Sequence, residues 1–194
     1  MKQSYIVLVN RHSGNADVFF RLLADTVHRL GIPAEWLADI MFLESGFNPK
    51  AKNPNGTATG LIQFIESTAK ELGTTTARLA AMTNIQQLPY VERYFGNWFN
   101  RLGKPKDGFE LYVLTFYPAW FNKSDDTRLP DSAYNANRGI DADGKGFITK
   151  GDFRKWYGKR LGKSVAAQTG KAVKDIGTFV LIAAALAAYK LIRH

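Results

Sequence analysis

ESGFNPKAKNPNGTATGLIQF, residues 44–64, closes an apolar helix on a carboxylate and then runs through a loop rich in Gly, Asn and Pro. Upstream, Trp36, Leu37, Ile40, Met41 and Leu43 recur at the three- and four-residue spacing of one helical face, and Pro33 suits the first turn of that helix. Glu44 lies seven residues after Leu37 and three after Met41, so it falls on the apolar stripe rather than the wet side. Desolvation at such a position favours the protonated carboxyl, which is what a general acid for breaking a glycosidic bond requires. Taken alone, the pattern more often marks a helix-end glutamate turned to solvent. Residues 46–59 hold two glycines, two prolines and three asparagines without periodicity, and read as a long functional loop.

Outward from that loop the periodicity is helical. Val18, Phe19, Leu22, Leu23, Val27 and Leu30 predict a helix over 17–30, ended by Gly31 and Pro33. A helix is expected over 60–72, stopping at Gly73, and another from about 77 after the caps offered by residues 74–76. Further helical patterns cover 85–102 and 108–121. Nothing over residues 11–140 alternates strongly enough to require a sheet, and no internal repeat is visible. The N-terminal MKQSYIVLVN reads either as a short strand or as the lead-in to the first helix.

Composition narrows the partners. A chain of 194 residues with 45% hydrophobic content can bury one substantial core, so one compact domain plus an appendage is expected. Cysteine is absent, which excludes disulfide and thiolate chemistry. The net charge of +9 invites a nucleic-acid reading, yet residues 150–194 carry 10 of the 26 basic and only 2 of the 17 acidic residues. The charge belongs to the tail, whereas a nucleic-acid-binding fold spreads basic and aromatic residues over one face, so no nucleic-acid partner is expected.

Glu44, Ser45, Phe47, Asn48, Pro49 and Ala51 form one motif. Gly60, Leu61, Ile62 and Gln63 form a second, and Ala133, Tyr134, Asn135 and Ala136 a third. In this order the three resemble the motifs of the lysozyme-like lytic transglycosylases, of the soluble lytic transglycosylase type. Together they span roughly residues 33–138. LTFYPAW, residues 114–120, resembles phage-encoded members. Ile62 stands where Met is common, and Asn137 replaces the usual Gly; neither change removes a group that does chemistry. The resemblance implies a mainly α, lysozyme-like fold and cleavage of the β-1,4 bond between N-acetylmuramic acid and N-acetylglucosamine in peptidoglycan. Glu44 would be the catalytic acid and then the base on the muramic acid 6-hydroxyl. Ser45 would hold the carboxylate or the acetamido group, and Gln63, Tyr134 and Asn135 would contact sugars, with Tyr117 adding to the groove.

Hydrolytic glycosidases deploy two carboxylates. Here Asp39 lies on a different face of the Glu44 helix and Glu66 is a loose candidate, which favours a single-acid transglycosylase needing no cofactor for catalysis. The rivals are a muramidase on the same fold and a catalytically silent virion protein that grips glycans.

Two further segments carry expectations. DADGKGFITKGD, residues 141–152, resembles an EF-hand calcium loop with Asp141, Asp143, Phe147 and Asp152 as ligands and Gly146 at the sharp turn. Lys145 stands where an oxygen ligand belongs, so a structural Ca²⁺ and a turn in which Lys145 pairs with the acids are both open readings. Residues 176–189 are 14 residues without a charge, apolar on every face, and Lys159, Arg160, Lys163, Lys171 and Lys174 precede them. This favours a tail-anchor helix over 172–194 after a linker at 162–171, with the enzyme domain over 1–161. The apolar run at 6–9 is too short for a signal-peptide core. The expectation is therefore a phage virion-associated enzyme, made in the host cytoplasm and held at a membrane, with other virion proteins as partners.

Overall fold

The structure is a computed structural model that describes residues 1–54 and 56–166. It divides into two units, Met1–Gly108 and Phe109–His194, each described by itself below. Of the linker expected over 162–171, residues 162–166 belong instead to the helix Lys150–Ala166; its remainder and the tail anchor lie outside the described residues. Among those described, no helix is long and apolar enough to cross a membrane.

In the first unit the N-terminal segment is helical, α1 (Gln3–Ser13), which decides between the two readings of MKQSYIVLVN. Tyr5 and Val9 are buried, one helical turn apart, so this short segment already has a side to hide. Helix α2 (Ala16–Leu30) starts where the Asn15 side chain accepts from the Val18 N–H and ends at the left-handed Gly31. It packs against α1, α3 (Ala34–Ser45) and α6 (Asn84–Leu102). Phe19, Leu23, Val27 and Leu30 of the predicted stripe are buried, together with Ala16 and Thr26.

Helix α6 opens with a reciprocal capping box between Thr83 and Gln86 and runs 19 residues, with Pro89 in its second turn. Its buried residues Asn84, Gln87, Leu88, Val91 and Phe95 again follow helical spacing, but the first two are amides. The expected helix over 60–72 is shorter: α4 covers only Glu66–Glu71. Gly60 and Gln63 have φ of +79° and +54°, outside the helical region, and isolated antiparallel bridges pair Thr59 with Lys52 and with Phe64. The chain therefore folds back on itself before turning helical. Helix α5 (Thr76–Ala81) begins as expected, with the Thr75 hydroxyl capping the Arg78 N–H.

The second unit contains α7 (Gly108–Phe116), a 3₁₀ turn at Pro118–Trp120, α8 (Asp131–Asn137), a second 3₁₀ turn at Arg138–Ile140, and α9 (Lys150–Ala166). The helix predicted over 108–121 thus stops at Phe116, because Pro118 cannot donate to a continuing ladder. The core gathers on Phe153, which is fully buried and stacks on Phe116 with ring centroids 4.0 Å apart. Inside this core lies an ion pair: the Lys150 ammonium is 2.5 Å from a Glu110 carboxylate oxygen, and both side chains are buried.

Candidate functional site

The site grows from the C-terminus of α3. Leu37, Ile40 and Met41 are fully buried, and Glu44 on the same stripe is only 5% exposed, as the spacing predicts. After Ser45 the helix stops at two left-handed residues, Gly46 and Phe47, whose N–H groups return to Phe42 and Met41 carbonyls. A left-handed backbone costs a non-glycine residue about 1–2 kcal/mol. Burying the Phe47 ring returns about 1.5–3 kcal/mol, and it also packs at 5.1 Å on Tyr5 and at 5.9 Å on Phe19. Burial wins, so an aromatic holds a turn that glycine would ordinarily make, and the chain leaves Glu44 in a defined direction.

The loop that follows closes on itself. Asn53 N–H reaches the Ala58 carbonyl, Gly60 N–H the Ala51 carbonyl, and Thr59 and Phe64 exchange both backbone bonds. Ser45 is buried, and its hydroxyl lies 2.9 Å from the Leu61 carbonyl and 3.0 Å from that of Met41. It ties the end of α3 to the second motif, a different use from the expected grip on Glu44 or the acetamido group. The Gln63 amide nitrogen donates to the Gly60 and Ala51 carbonyls at 3.0 and 3.3 Å, which leaves its buried oxygen without a protein hydrogen-bond partner.

Two residues that the sequence reading passed over complete this arrangement, both on α6. Gln87 is fully buried and spans three segments: its oxygen accepts from Leu61 N–H at 2.8 Å, and its nitrogen donates to the carbonyls of Pro49 at 2.7 Å and Leu79 at 2.8 Å. A Cβ at residue 60 would sit 2.4 Å from that oxygen, so Gly60 is required by space as well as by its positive φ. Tyr94 lies one heptad on, edge-on to Phe64 at 6.3 Å and to Trp98 at 6.4 Å. Burial drives the Tyr94 phenol well above its ordinary pKa; the Trp98 bond opposes this, and the charges of Glu44 and Glu71 add to it. Tyr94 is therefore within electrostatic reach of Glu44. The signal for Gln87 was present: an amide at 87, between Asn84 and Val91, falls on the buried stripe of α6.

Gln87→Leu keeps the volume but strips the polar atoms. The Leu79 carbonyl retains the Met82 N–H, whereas the Leu61 N–H and the Pro49 carbonyl lose a partner. At about 1–3 kcal/mol for each of the two buried orphans, the expected loss is about 2–6 kcal/mol, read as a lowered urea midpoint with an unchanged slope.

The two other carboxylates considered are engaged elsewhere. Asp39 accepts from the Tyr5 hydroxyl at 2.5 Å and pairs with Lys2 at 2.7 Å. Glu66 caps α5 through the Thr76 hydroxyl and N–H, which hold it below the ordinary glutamate range against the opposing effect of desolvation.

The remaining expected residues belong to the second unit. Tyr117 is buried edge-on to Trp120 at 5.4 Å, and burial raises its phenol. Tyr134 is half-buried and donates to Asp141 at 2.8 Å, a bond that raises the phenol, while Asn135 is exposed on α8. The Asp141 carboxylate also accepts from the N–H groups of Lys145 at 3.1 Å and Gly146 at 2.9 Å. Asp143 is exposed. Desolvation would raise Asp152, but the Lys145 ammonium and the Thr149 hydroxyl and N–H outweigh it and hold the carboxyl below its ordinary value. Among the described residues, no three His, Cys, Asp or Glu side chains are grouped so as to hold a metal ion.

Residues 23–92 match the family model of the transglycosylase SLT domain. The matched stretch takes in Glu44, the self-closed loop, Gln63 and Gln87, and it is consistent with a lysozyme-like lytic transglycosylase. No curated protein matches the chain.

Proposed function

We infer that the chain acts on peptidoglycan as a lytic transglycosylase, a reading that the SLT match supports. We propose that the chain cleaves the MurNAc-β-1,4-GlcNAc bond with Glu44 as its one acid–base residue. The observation that carries this is the burial of Glu44 at the end of α3, where the loop that follows is clamped by Ser45 and Gln87. Protonated Glu44 gives its proton to the bridging oxygen as the C1–O bond breaks and GlcNAc leaves. The carboxylate then takes the proton of the muramic acid 6-hydroxyl while O6 bonds to C1, which closes the 1,6-anhydro ring and restores the acid. The attacking oxygen belongs to the same sugar, so its effective concentration far exceeds that of an external nucleophile. Gln63, Tyr117, Tyr134 and Asn135 contact the glycan in this reading, and Ser45 holds the loop. Asp39 and Glu66 being engaged elsewhere supports a single-carboxylate reaction.

Hydrolysis draws support from one observation, the exposed Glu71 carboxylate that also acts on the Tyr94 phenol. Mass spectrometry of digested glycan strands separates the two. Anhydro-muropeptides are the expected products, and reducing ends bearing added water would replace the transglycosylase by a muramidase. The proposal extends to a virion-associated enzyme tethered through the uncharged run 176–189, whose cationic approach suits anionic headgroups.

A further inference from the structure

An EF-hand loop needs oxygen ligands at positions 1, 3, 5, 7 and 12, the last a bidentate carboxylate. The side chains over 141–152 do not fit a calcium ion. At position 12, one Asp152 oxygen takes the Thr149 N–H at 2.7 Å, the Thr149 hydroxyl at 2.8 Å and the Lys145 ammonium at 2.6 Å. Asp152 N–H in turn donates to the Thr149 hydroxyl at 3.2 Å, so this carboxylate is the third residue of a capping box that starts α9. At position 1, the Asp141 oxygens are engaged by Tyr134, Lys145 N–H and Gly146 N–H. Beside position 7, whose ligand would be the Phe147 carbonyl, two cations lie over the Phe147 ring, the Arg128 guanidinium at 3.8 Å and the Lys145 ammonium at 4.9 Å from its centroid. A divalent ion brought here would meet positive charge where it needs oxygen.

We infer that Lys145 is a built-in substitute for the metal: its ammonium bonds the Asp152 carboxylate, its own N–H bonds Asp141, and the loop closes without calcium. The residue at position 5 thereby joins the two ends of the loop, positions 1 and 12, as a bound ion joins them elsewhere. The Asp152 side chain is 8% exposed and that of Lys145 29%, so the pair is shielded more than an ordinary surface contact. Asp141 carries the same closure to the Tyr134 hydroxyl, which lies on α8 outside the loop. This inference is independent of the reaction assigned to Glu44.

The test is thermal unfolding of the full chain in EDTA and in millimolar CaCl₂, together with calorimetric calcium titration of the metal-free full chain in chelator-free buffer. Wild type is expected to melt at the same temperature in both and to give no binding heat. Lys145→Met should melt about 2–4 °C lower in both, since it removes the cation and supplies no ligand. Lys145→Asp, which places a carboxylate at position 5, should melt lower in EDTA and recover in calcium, with a binding heat that wild type lacks. Calcium stabilising the wild type would overturn the inference, as would a Lys145→Met protein as stable as wild type. A Lys145→Asp loop that calcium fails to restore would refute the equivalence of ammonium and ion.

Discussion

Glu44→Gln is expected to lower peptidoglycan cleavage by about a thousandfold or more, roughly 4 kcal/mol of transition-state stabilisation, with the fold retained. The amide matches the carboxyl in size, so the packing around a side chain only 5% exposed is preserved. It cannot deliver a proton to the bridging oxygen, nor take one from the 6-hydroxyl, so both halves of the proposed cycle fail together. The loss should fall on kcat, because the groups proposed to hold the sugars are untouched. Turnover of purified sacculi, measured beside a thermal melt of both proteins, checks this. Unchanged clearing by the variant would remove Glu44 from its role. Wild type that binds glycan strands without cleaving them would favour the silent glycan-gripping protein.

Lys150→Met is expected to destabilise the second unit by about 3–5 kcal/mol, the usual cost of removing one partner of a buried ion pair. Lys150 is 1% exposed and Glu110 is fully buried; the ammonium also donates to the Lys123 carbonyl at 2.8 Å. Without it, Glu110 keeps Arg154 at 3.8 Å and the Asn122 N–H at 3.3 Å, both too distant to replace a contact at 2.5 Å. The position matters beyond stability, since Lys150 is the first residue of α9 and directly follows the loop that ends at Thr149. Differential scanning calorimetry should show a transition lowered by about 10 °C. The double change Lys150→Met with Glu110→Leu should recover most of that loss, because replacing a whole buried pair by apolar groups is often neutral. A single variant as stable as wild type would show that the pair contributes little.

Much of the first unit was legible because its helices are amphipathic and capped. The spacing of Phe19, Leu23 and Val27, the Thr75 cap and the stop at Gly31 are local signals, and each stands where the pattern placed it. Glu44 was legible for the same reason, as a carboxylate on an apolar stripe. The helix expected over 60–72 failed at Gly60 and Gln63. The apolar residues between them suit a helix, and what holds them in a turn is Gln87, which lies 26 residues from Leu61 along the chain. Lys145 was the opposite case: its misfit in the calcium pattern was plain in the sequence, while its bond to Asp152 was not.

The sequence by itself determined the helical class, the uneven charge, the three motifs and the place of Glu44 on an apolar stripe, because these depend on side-chain type and on neighbours three or four residues away. The tertiary structure alone decided what the polar side chains bond to. Ser45 meets the Leu61 carbonyl, Gln87 meets Leu61 and Pro49, Asp39 meets Lys2, and Glu110 meets Lys150. Each pairing joins residues 16 to 40 positions apart. A buried donor or acceptor must find a partner wherever the packing of the chain supplies one, and no local pattern names that partner.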